Sequence, residues 1–505
     1  MPDGIGGFQK NILFFVNMGM ENIEHLVVLM FENRSFDNLL GWLYDDETDP
    51  PKLNIPNQTP PIFNGLKPNT YFNLLDGEQV FASRPPSSWP SCPNANQVPT
   101  PDPQEEFDKV TFQIFGTSSP GSEDKANMSG FLKNYSTTEA GNASVKQIMQ
   151  SYGPAEANVI NGLARNFAVC DGWFASVPSQ TWPNRGFIHT GSSDGHVNND
   201  DLEWYHIPTI FNVLEDQGKL WEVFFNSGIN SFTYLQFPYL GGLRDHFHDY
   251  SDFEERCKAQ PDADPSQKLP EYSFVEPRFL SGWFGLGEQP NDYHPPHNIC
   301  RGEQFLANVY RAIQKSPYRD KIMFVVTFDE HGGCYDHVPP PTGAQAPQPC
   351  PLSRDGKFKF DRFGVRVPAI VVSSYVEPGT AFRAAEGEAP YDHTSIAATL
   401  RDWLKLDSGP GKFLPSPRIA AAPTLDRVLI REKGNENTNW PDITTTCTID
   451  GSDISPDMPL NDVQRGLIAA AKMKQTHTHP GFVNMQAKQL KTFEHGASFL
   501  QPDAS

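Results

Sequence analysis

The chain has 505 residues and carries 40 Lys and Arg against 61 Asp and Glu, which gives a formal net charge of −21. A hydrophobic content of 38% and an aromatic content of 12% suffice for a sizeable core and exclude wholesale disorder. The acidic balance argues against nucleic acid as a partner, and no apolar run is long enough for a transmembrane anchor. Composition therefore indicates a globular enzyme or binding protein with at most transient contact to a membrane surface; the oligomeric state is left open.

The amino terminus lacks a signal-peptide pattern, because the apolar stretch at residues 12–16 is too short for the hydrophobic region of such a peptide. This predicts a cytoplasmic protein or one exported by a non-standard route. The seven cysteines include no C-x-x-C pair, so neither a zinc ribbon nor a redox pair is indicated. At this density most cysteines are expected to be free thiols, with one or two disulfides left open.

The predicted elements alternate between strands and helices along the chain. Unbroken apolar runs without alternation are typical of strands that are covered on both faces, and helical periodicity lies between and after them. In chain order, the predictions are a strand at 25–31, a long loop excursion at 45–125, a helix at 304–314, strands at 322–328 and 367–373, and helices at 393–405 and 457–474. This order predicts an α/β fold, a three-layer α/β/α sandwich with long loop insertions. Residues 1–430 are predicted to form the main domain and 431–505 a C-terminal appendage.

Acidic and amide side chains follow the two strongest strands. Glu32 and Asn33 come directly after the first strand, and Asp329 and Glu330 directly after the strand at 322–328. Ligands of open α/β sheets bind beyond the carboxyl ends of the strands, so these side chains are expected to converge there. Three carboxylates and one amide would repel one another unless a cation neutralised them, which suggests a divalent metal of unknown identity. The alternative is that these acids are unrelated and cap the helices that follow.

A hydroxyl group precedes a proline in the segment 176–185. Thr181 stands two residues ahead of Pro183, where a helix is expected to begin. A hydroxyl at a helix N-terminus faces unpaired N–H groups that favour an oxyanion such as phosphate, and Arg185 can add further donors. The alternative is that Thr181 only caps the helix. Among the histidines, His248, His294 and His331 lie in clusters beside acids or turns and are candidates for the same site.

Four sequence blocks together resemble the phosphoesterase family of bacterial phospholipases C, plant non-specific phospholipases C and related acid phosphatases. They are ENRSFD from Glu32, TWPNR from Thr181, DEHGGCYDHV from Asp329 and GVRVP from Gly364, and they occur in family order. The resemblance implies an alkaline-phosphatase-like fold and a covalent phosphoryl-enzyme intermediate on the nucleophile Thr181.

The resemblance also implies a role for individual residues. Metal ligation falls to Glu32, Asn33, Thr181, Asp329 and Glu330, and His248 and His294 match the family's histidines on the leaving-group side. Asn184 and Arg185 belong to the block around the nucleophile and are assigned to substrate binding, while His393 in the run YDHTS is expected to support a strand end.

One position departs from the family pattern. Many relatives carry a histidine in a D-P-G-H-like stretch, whereas Glu105 stands at that place in the run from Asp102 to Phe107. Glu105 is therefore a catalytic candidate with two roles open: a proton donor to the leaving oxygen, or a ligand of a second cation together with His248 and His294. The third alternative is an exposed acid in a proline-rich loop.

These observations predict metal-dependent hydrolysis of phosphoric esters, most specifically phospholipase C-type cleavage of phospholipids. The main alternative is an acid phosphatase that acts on small phosphomonoesters. An alternative of another class is a catalytically silent protein that only binds phosphoesters, although binding alone does not need a nucleophile.

Overall fold

The computed structural model describes residues 19–85, 95–138, 145–199, 204–226, 230–280, 289–447, 449, 459–476, 483 and 486–500. Within these residues the strands are β1 (His25–Phe31), β2 (Leu53–Ile55), β3 (Phe72–Leu75), β4 (Glu78–Phe81), β5 (Ala168–Cys170), β6 (Trp173–Phe174), β7 (Trp221–Phe225), β8 (Phe247–Asp249), β9 (Tyr272–Glu276), β10 (Ile322–Phe328), β11 (Ala369–Val372), β12 (Thr380–Phe382) and β13 (Tyr391–Asp392).

Nine of these strands form one sheet in the order β2-β12-β5-β11-β10-β1-β9-β7-β8. β1 pairs in parallel with β10 on one side and β9 on the other, and every residue of β1 and of β10 is buried. β11 is antiparallel to both of its neighbours, β10 and β5, so this strand runs against the others of the sheet. The two apolar runs of the sequence therefore form the centre of the sheet, as predicted.

The helices over the same residues are α1 (Phe36–Leu40), α2 (Phe107–Phe115), α3 (Phe131–Tyr135), α4 (Asn158–Asn166), α5 (Thr181–Thr190), α6 (Ile210–Asp216), α7 (Phe232–Gln236), α8 (Tyr250–Lys258), α9 (Ile299–Gln314), α10 (Thr394–Trp403), α11 (Pro417–Ala421), α12 (Asp462–Thr476) and α13 (Phe493–Leu500). α4 packs with α1 and α9, and α9 with α8, whereas α5 packs with α6 and α10. These two groups of helices enclose the sheet, which confirms the α/β sandwich.

Several element boundaries differ from the prediction. The segment 45–125 is not a plain loop, because it holds β2 at the sheet edge, the antiparallel hairpin of β3 and β4, and the helix α2. These elements are short, and their apolar residues pack on a second, smaller core, so they leave little periodicity in the sequence. The helix predicted at 304–314 begins five residues earlier, where the side chain of Asn298 accepts a hydrogen bond from the backbone of Cys300.

The C-terminal segment is closely packed on the rest of the molecule. Trp440 stacks on the ring of Tyr310 at 5.9 Å, and Cys447 forms a disulfide with Cys300 of α9. Among the other described cysteines, all four are free thiols, as predicted for the majority. The domain boundary near residue 430 stays a prediction. No helix in the described part of the chain is long and apolar enough to span a membrane.

Candidate active site

The register of the two central strands brings the predicted acidic residues together. Phe31 pairs with Phe328, so the residues that follow, Glu32 and Asp329, leave the sheet side by side. Asn33 adopts a left-handed backbone with φ 56°, and its N–H donates to Asp329 Oδ1 at 3.0 Å. All of these side chains, together with Glu330, are fully buried. The predicted convergence at the sheet edge is therefore what the structure contains.

Thr181 is the first residue of α5, and its hydroxyl joins this group. Oγ1 lies 3.0 Å from Glu32 Oε2 and 3.2 Å from Asn33 Oδ1. The N-cap of α5 is Gln180, and Thr181 makes no capping bond, so the alternative of a mere cap is wrong. The hydroxyl of Thr181 thus contacts Glu32 and Asn33, Asp329 bonds the backbone of Asn33, and Glu330 follows Asp329 in the chain. We call Glu32, Asn33, Thr181, Asp329 and Glu330 the oxygen cluster.

Two consecutive glycines allow the chain to close over the oxygen cluster. Gly332 and Gly333 have φ of 62° and 61°, a region that favours glycine. A Cβ at Gly332 would lie 2.0 Å from the carbonyl oxygen of Asn33, and one at Gly333 would lie 2.5 Å from Pro103 Cβ. The HGG part of the block from Asp329 is thus explained by close approach of the backbone, which brings the segment 102–105 against the cluster.

The charges of the oxygen cluster are only partly balanced. Burial, followed by repulsion from Asp329, raises the pKa of Glu32 well above its ordinary value, and the same two causes raise the pKa of Glu330. Asp329 Oδ2 and Glu330 Oε1 accept no hydrogen bond from the described part of the chain. Two buried carboxylate oxygens without a donor, beside a hydroxyl and an amide oxygen, fit a hard divalent cation.

Arg185 is the cation of the chain that lies against this cluster. Its Nε and one terminal nitrogen donate to Glu32 Oε1 at 2.9 and 2.5 Å, and its Nε lies 3.6 Å from Asp329 Oδ2. The guanidinium also lies 5.0 Å from the ring centres of Phe232 and Phe279. Arg185 therefore orients Glu32, and only its Nη1 has no hydrogen-bond partner among the described residues. Of the nitrogen atoms of Arg185, only Nη1 is therefore left for the substrate-binding role that the sequence predicts.

Asn184 serves the loop that precedes α5 rather than a substrate. Its Oδ1 accepts from the N–H of Val177, and its Nδ2 donates to the carbonyl oxygens of Val177, Ser179 and Gln180. The helix N-terminus is occupied as well, since the N–H of Trp182 donates to Asn199 Oδ1 at 2.9 Å. The expectation that the helix amides hold a phosphate is thus weakened. Asn199 gave no sequence signal, because it lies outside the recognised blocks.

Glu105 and His294 both reach the oxygen cluster. Asn33 Nδ2 lies 2.9 Å from His294 Nε2, and Glu105 Oε1 lies 3.9 Å from the same nitrogen. Burial lowers the pKa of His294 to about 3, so the ring is neutral. Glu105 is only 6% exposed, and the alternative of a surface acid is therefore wrong.

The second-cation site predicted from Glu105, His248 and His294 is not assembled. Asp102 takes the third place instead, and its carboxylate, that of Glu105 and a nitrogen of His294 lie within 4.8 Å of one another. However, His294 turns Nδ1 to Asp102 at 3.6 Å and Nε2 to Glu105, so one ion cannot use both contacts. The predicted second-cation site did not include Asp102, although Asp102 begins the run from Asp102 to Phe107 in which Glu105 was identified.

His248 lies apart from the oxygen cluster, on the edge strand β8. Its Nε2 lies 3.4 Å from Glu222 and its Nδ1 lies 3.8 Å from Asp252. Three strands of the sheet separate His248 from Asp329, namely β7, β9 and β1. The leaving-group role predicted for His248 is not supported by this position, because such a group has to contact the substrate.

His393 holds the end of β10, as expected. Its Nε2 donates to the carbonyl oxygen of Asp329 at 2.6 Å, and its Nδ1 accepts from the indole N–H of Trp173 at 3.2 Å. Because both ring nitrogens have partners of fixed polarity, the tautomer of His393 is fixed and the backbone of Asp329 is fixed with it.

Comparisons with known proteins identify the family of the chain. Residues 23–407 match the model of the Phosphoesterase family. Non-specific phospholipase C3 of Arabidopsis thaliana is 34% identical over 487 residues, which cover 94% of this chain and 86% of that protein. Non-specific phospholipase C4 of the same plant is 32% identical, with 93% and 84% covered, and phospholipase C B of Mycobacterium tuberculosis is 26% identical, with 76% and 73% covered.

Among solved structures, a protein of the alkaline phosphatase superfamily from Vibrio parahaemolyticus is 15% identical, with a TM-score of 0.30 and coverage of 55% of this chain and 66% of that one. The family assignment comes from the sequence comparisons. The chain belongs to the phosphoesterase family, and its enzyme class is the predicted one, a phosphoric ester hydrolase.

Proposed function

We propose that this enzyme cleaves phospholipids in the manner of a phospholipase C, through a covalent intermediate on Thr181. The observation that carries the proposal is the hydroxyl of Thr181, which lies within hydrogen-bond distance of Glu32 and Asn33 inside a fully buried oxygen cluster. A binding protein has no use for such a hydroxyl at this place. The substrate class is taken from the relatives, which are named phospholipases C.

The oxygen cluster would hold one divalent cation. Its ligands would be the side chains of Glu32, Asn33, Thr181, Asp329 and Glu330, and the two carboxylate oxygens without a donor support this set. When bound, the cation would neutralise charge on the phosphate and lower the pKa of the threonine hydroxyl.

In the proposed reaction, different residues of the chain serve as nucleophile and as proton donor. Thr181 Oγ1 gives its proton to Glu32 Oε2, to which it donates a hydrogen bond, and forms a bond to phosphorus while the bond between phosphorus and the glycerol oxygen breaks. That oxygen leaves as the alcohol of a diacylglycerol once it is protonated. Water next attacks the phosphorus that is held on Thr181 and releases the phosphorylated head group; Glu32 returns the proton to Oγ1, and the proton that the water loses restores the proton donor. Glu105 is the proposed proton donor to the glycerol oxygen, because its buried carboxyl lies beside His294 at the cluster.

The nucleophile is tested by Thr181→Ala, with Thr181→Ser as the matched variant that keeps the oxygen. Diacylglycerol release from phosphatidylcholine should fall by roughly 10³-fold or more in the first variant and only partly in the second. Acid-quenched parent enzyme that is turning over phosphatidylcholine should contain a peptide with phosphocholine attached to Thr181. Activity of Thr181→Ala within tenfold of the parent contradicts the proposal. Parallel assays with p-nitrophenyl phosphate and p-nitrophenyl phosphocholine separate the monoesterase alternative from the diesterase.

The proton donor is tested by comparing two leaving groups in Glu105→Gln. A glycerol oxygen needs protonation as it leaves, whereas p-nitrophenolate is stable without it. We expect a loss of 10²- to 10⁴-fold with phosphatidylcholine and a loss below about tenfold with p-nitrophenyl phosphocholine. Equal losses with both substrates would remove Glu105 from this role.

A further inference from the structure

The orientation of the Asn33 amide decides whether its oxygen or its NH2 group faces the oxygen cluster. The amide lies between two neighbours, with Oδ1 3.2 Å from Thr181 Oγ1 and Nδ2 2.9 Å from His294 Nε2. Rotation of the amide by half a turn would exchange its oxygen and nitrogen with little change in shape. In the rotated state the NH2 group would face the buried carboxylates, which can accept its hydrogen bonds. The amide would then offer no oxygen to a metal.

The surroundings of His294 select one of the two orientations. Its Nδ1 lies 2.6 Å from the carbonyl oxygen of Pro295. A carbonyl oxygen only accepts hydrogen bonds, so Nδ1 carries the proton of the neutral ring, and Nε2 presents a lone pair. The atom of Asn33 that faces Nε2 must then be the donor Nδ2. Oδ1 consequently points to Thr181 and the carboxylates.

The segment around His294 is fixed by the residue before it. Tyr293 has a left-handed backbone with φ 74°, an unfavourable conformation for a bulky residue. Its ring packs edge-on against Phe31 at 4.7 Å and Phe328 at 5.3 Å, which are the last residues of β1 and β10. Its hydroxyl donates to Glu303 Oε1 at 2.6 Å. The ends of the two central strands therefore set the place of His294 as well as that of the oxygen cluster.

We propose that His294 is a positioning residue, which holds the Asn33 amide with its oxygen towards the metal site. The proposal rests on the proposed function, because it concerns the cation of that site. It differs from the leaving-group role predicted for His294, since a ring with its proton on Nδ1, bonded to Pro295, has no proton on Nε2 to give to a substrate. His294 acts through Asn33, in the way that residues behind a metal ligand orient it.

Two isosteric variants separate these roles. In His294→Gln the side-chain oxygen can take the place of Nε2 and accept from Asn33, whereas in His294→Asn the side-chain amide takes the place of Nδ1 and the acceptor is lost. The matched control is His297→Gln, because His297 is a buried histidine of the same loop that contacts Asp292 and Gln464 instead of Asn33. Chelator-treated proteins are titrated with Mn²⁺ and with Ca²⁺ by calorimetry.

We expect His294→Asn to lose 10- to 100-fold in cation affinity, and His294→Gln and His297→Gln to stay within about tenfold of the parent. Parent protein labelled with ¹⁵N-histidine should show a protonated Nδ1 for His294, with His294→Leu identifying the signal. A protonated Nε2 would overturn the proposal even if a variant failed to fold. Unchanged cation affinity in both isosteric variants, with kcat lost in both, would make His294 a proton donor instead. A parent that binds neither cation contradicts the proposed function and the proposal with it, which distinguishes that failure from failure of the His294 role alone.

Discussion

The blocks ENRSFD and DEHGGCYDH each contribute to two buried acidic clusters, and the two clusters differ in how their charge is balanced. The first residues of both blocks build the oxygen cluster. Their last residues, Asp37 from one block and Asp336 and His337 from the other, meet around Arg366. We call these four residues the Arg366 cluster. The acids of both clusters come from these two segments and are all buried, so the clusters differ in the partners of the acids and not in how deeply the acids are buried.

Every carboxylate oxygen of the Arg366 cluster has a donor. Arg366 donates to Asp37 Oδ1 and to Asp336 Oδ1, both at 3.0 Å, and His337 donates to Asp37 Oδ2 at 2.7 Å. Asp336 Oδ2 accepts from the N–H of Asp37 at 3.1 Å. Although burial acts to raise it, the charges of His337 and Arg366 hold the pKa of Asp37 below its ordinary value. For Asp336 burial prevails and raises the pKa to about 6, even though Arg366 acts to lower it.

The oxygen cluster has the opposite balance. Arg185 contacts two of its three carboxylates, those of Glu32 and Asp329. Two carboxylate oxygens have no donor in the described part of the chain, and the pKa values of Glu32 and Glu330 are raised. Groups of the chain therefore satisfy every carboxylate oxygen of the Arg366 cluster, whereas the oxygen cluster keeps two carboxylate oxygens without a donor among the described residues. This difference supports our proposal that the oxygen cluster is the one that binds a cation from solution.

The largest expected effect comes from removing the arginine of the Arg366 cluster. Arg366→Leu removes the guanidinium between Asp37 and Asp336 and leaves His337, which bonds Asp37 alone. The loss should lower the free energy of unfolding by about 3–5 kcal/mol, measured by urea denaturation. The matched control is Arg362→Leu four residues earlier, where the guanidinium packs on aromatic rings such as that of Phe107 at 5.6 Å. This variant should lose about 1 kcal/mol. Equal losses would contradict the assignment of Arg366 as the essential counter-charge.

The second effect concerns the cation of the oxygen cluster. A divalent cation at 100 times its dissociation constant should stabilise the folded protein by about 2.7 kcal/mol, since the unfolded chain has no preformed site. Chelation should therefore lower Tm and abolish hydrolysis, and both should return when the cation is restored. Extensive chelation, with metal loss verified by elemental analysis, that changed neither Tm nor turnover would break the contrast between the two clusters.

The oxygen cluster could be predicted from the sequence because its parts follow strong local signals. Glu32 and Asp329 end two unbroken apolar strands, and parallel strands in register place their carboxyl ends together. Thr181 was found from the proline that marks the first turn of α5. The direction of β11 could not be predicted, because a short buried apolar run fits a parallel or an antiparallel neighbour equally well.

The histidines show where sequence reasoning fails. His248 and His294 both stand beside acids and turns, but strand order decides which of them reaches the site, and β8 is at the sheet edge. Asn184 belongs to a recognised block, yet it bonds the loop before α5, because its amide matches three carbonyls there. Such contacts join residues whose spatial relation is set by the whole fold and not by local pattern.

A smaller effect with the opposite sign is expected inside the oxygen cluster. Glu330→Gln removes one of three crowded negative charges, so in cation-free protein it should raise the free energy of unfolding by about 1 kcal/mol. The same change should abolish cation binding, because a ligand charge is lost. Asp336→Asn in the Arg366 cluster is the control and should destabilise the protein, since both oxygens of Asp336 accept hydrogen bonds and the amide keeps only one of them. A loss of stability in both variants would contradict the difference in charge balance.

Glu303 is a buried acid outside both clusters, and among the described residues its hydrogen-bond partners include neither an arginine nor a member of the oxygen cluster. Its carboxylate accepts hydrogen bonds from the backbone N–H groups of Val159 and Ile160 at the start of α4 and from the hydroxyl of Tyr293. These neutral donors compensate less than a full charge does, and burial raises the pKa of Glu303 from 4.5 to about 7. Glu303 thus lies between the two clusters in how well its charge is balanced.

The smallest expected effect is the pH dependence that Glu303 adds to stability. Between pH 4.5 and about 7 the folded protein keeps a proton on Glu303 that the unfolded chain has released, so the stability contributed by this group falls as the pH rises through that window. Glu303→Gln cannot titrate, and its free energy of unfolding should therefore fall less steeply between pH 5 and pH 7.5, by on the order of 1 kcal/mol over the interval. Denaturation curves of parent and variant at both pH values measure this difference in slope. The difference does not depend on any pH-independent change in the free energy of unfolding that the substitution itself causes. Parallel slopes would show that the N–H groups of α4 stabilise the carboxylate as fully as Arg366 stabilises Asp37, and the order of the three buried acids would have to be reversed.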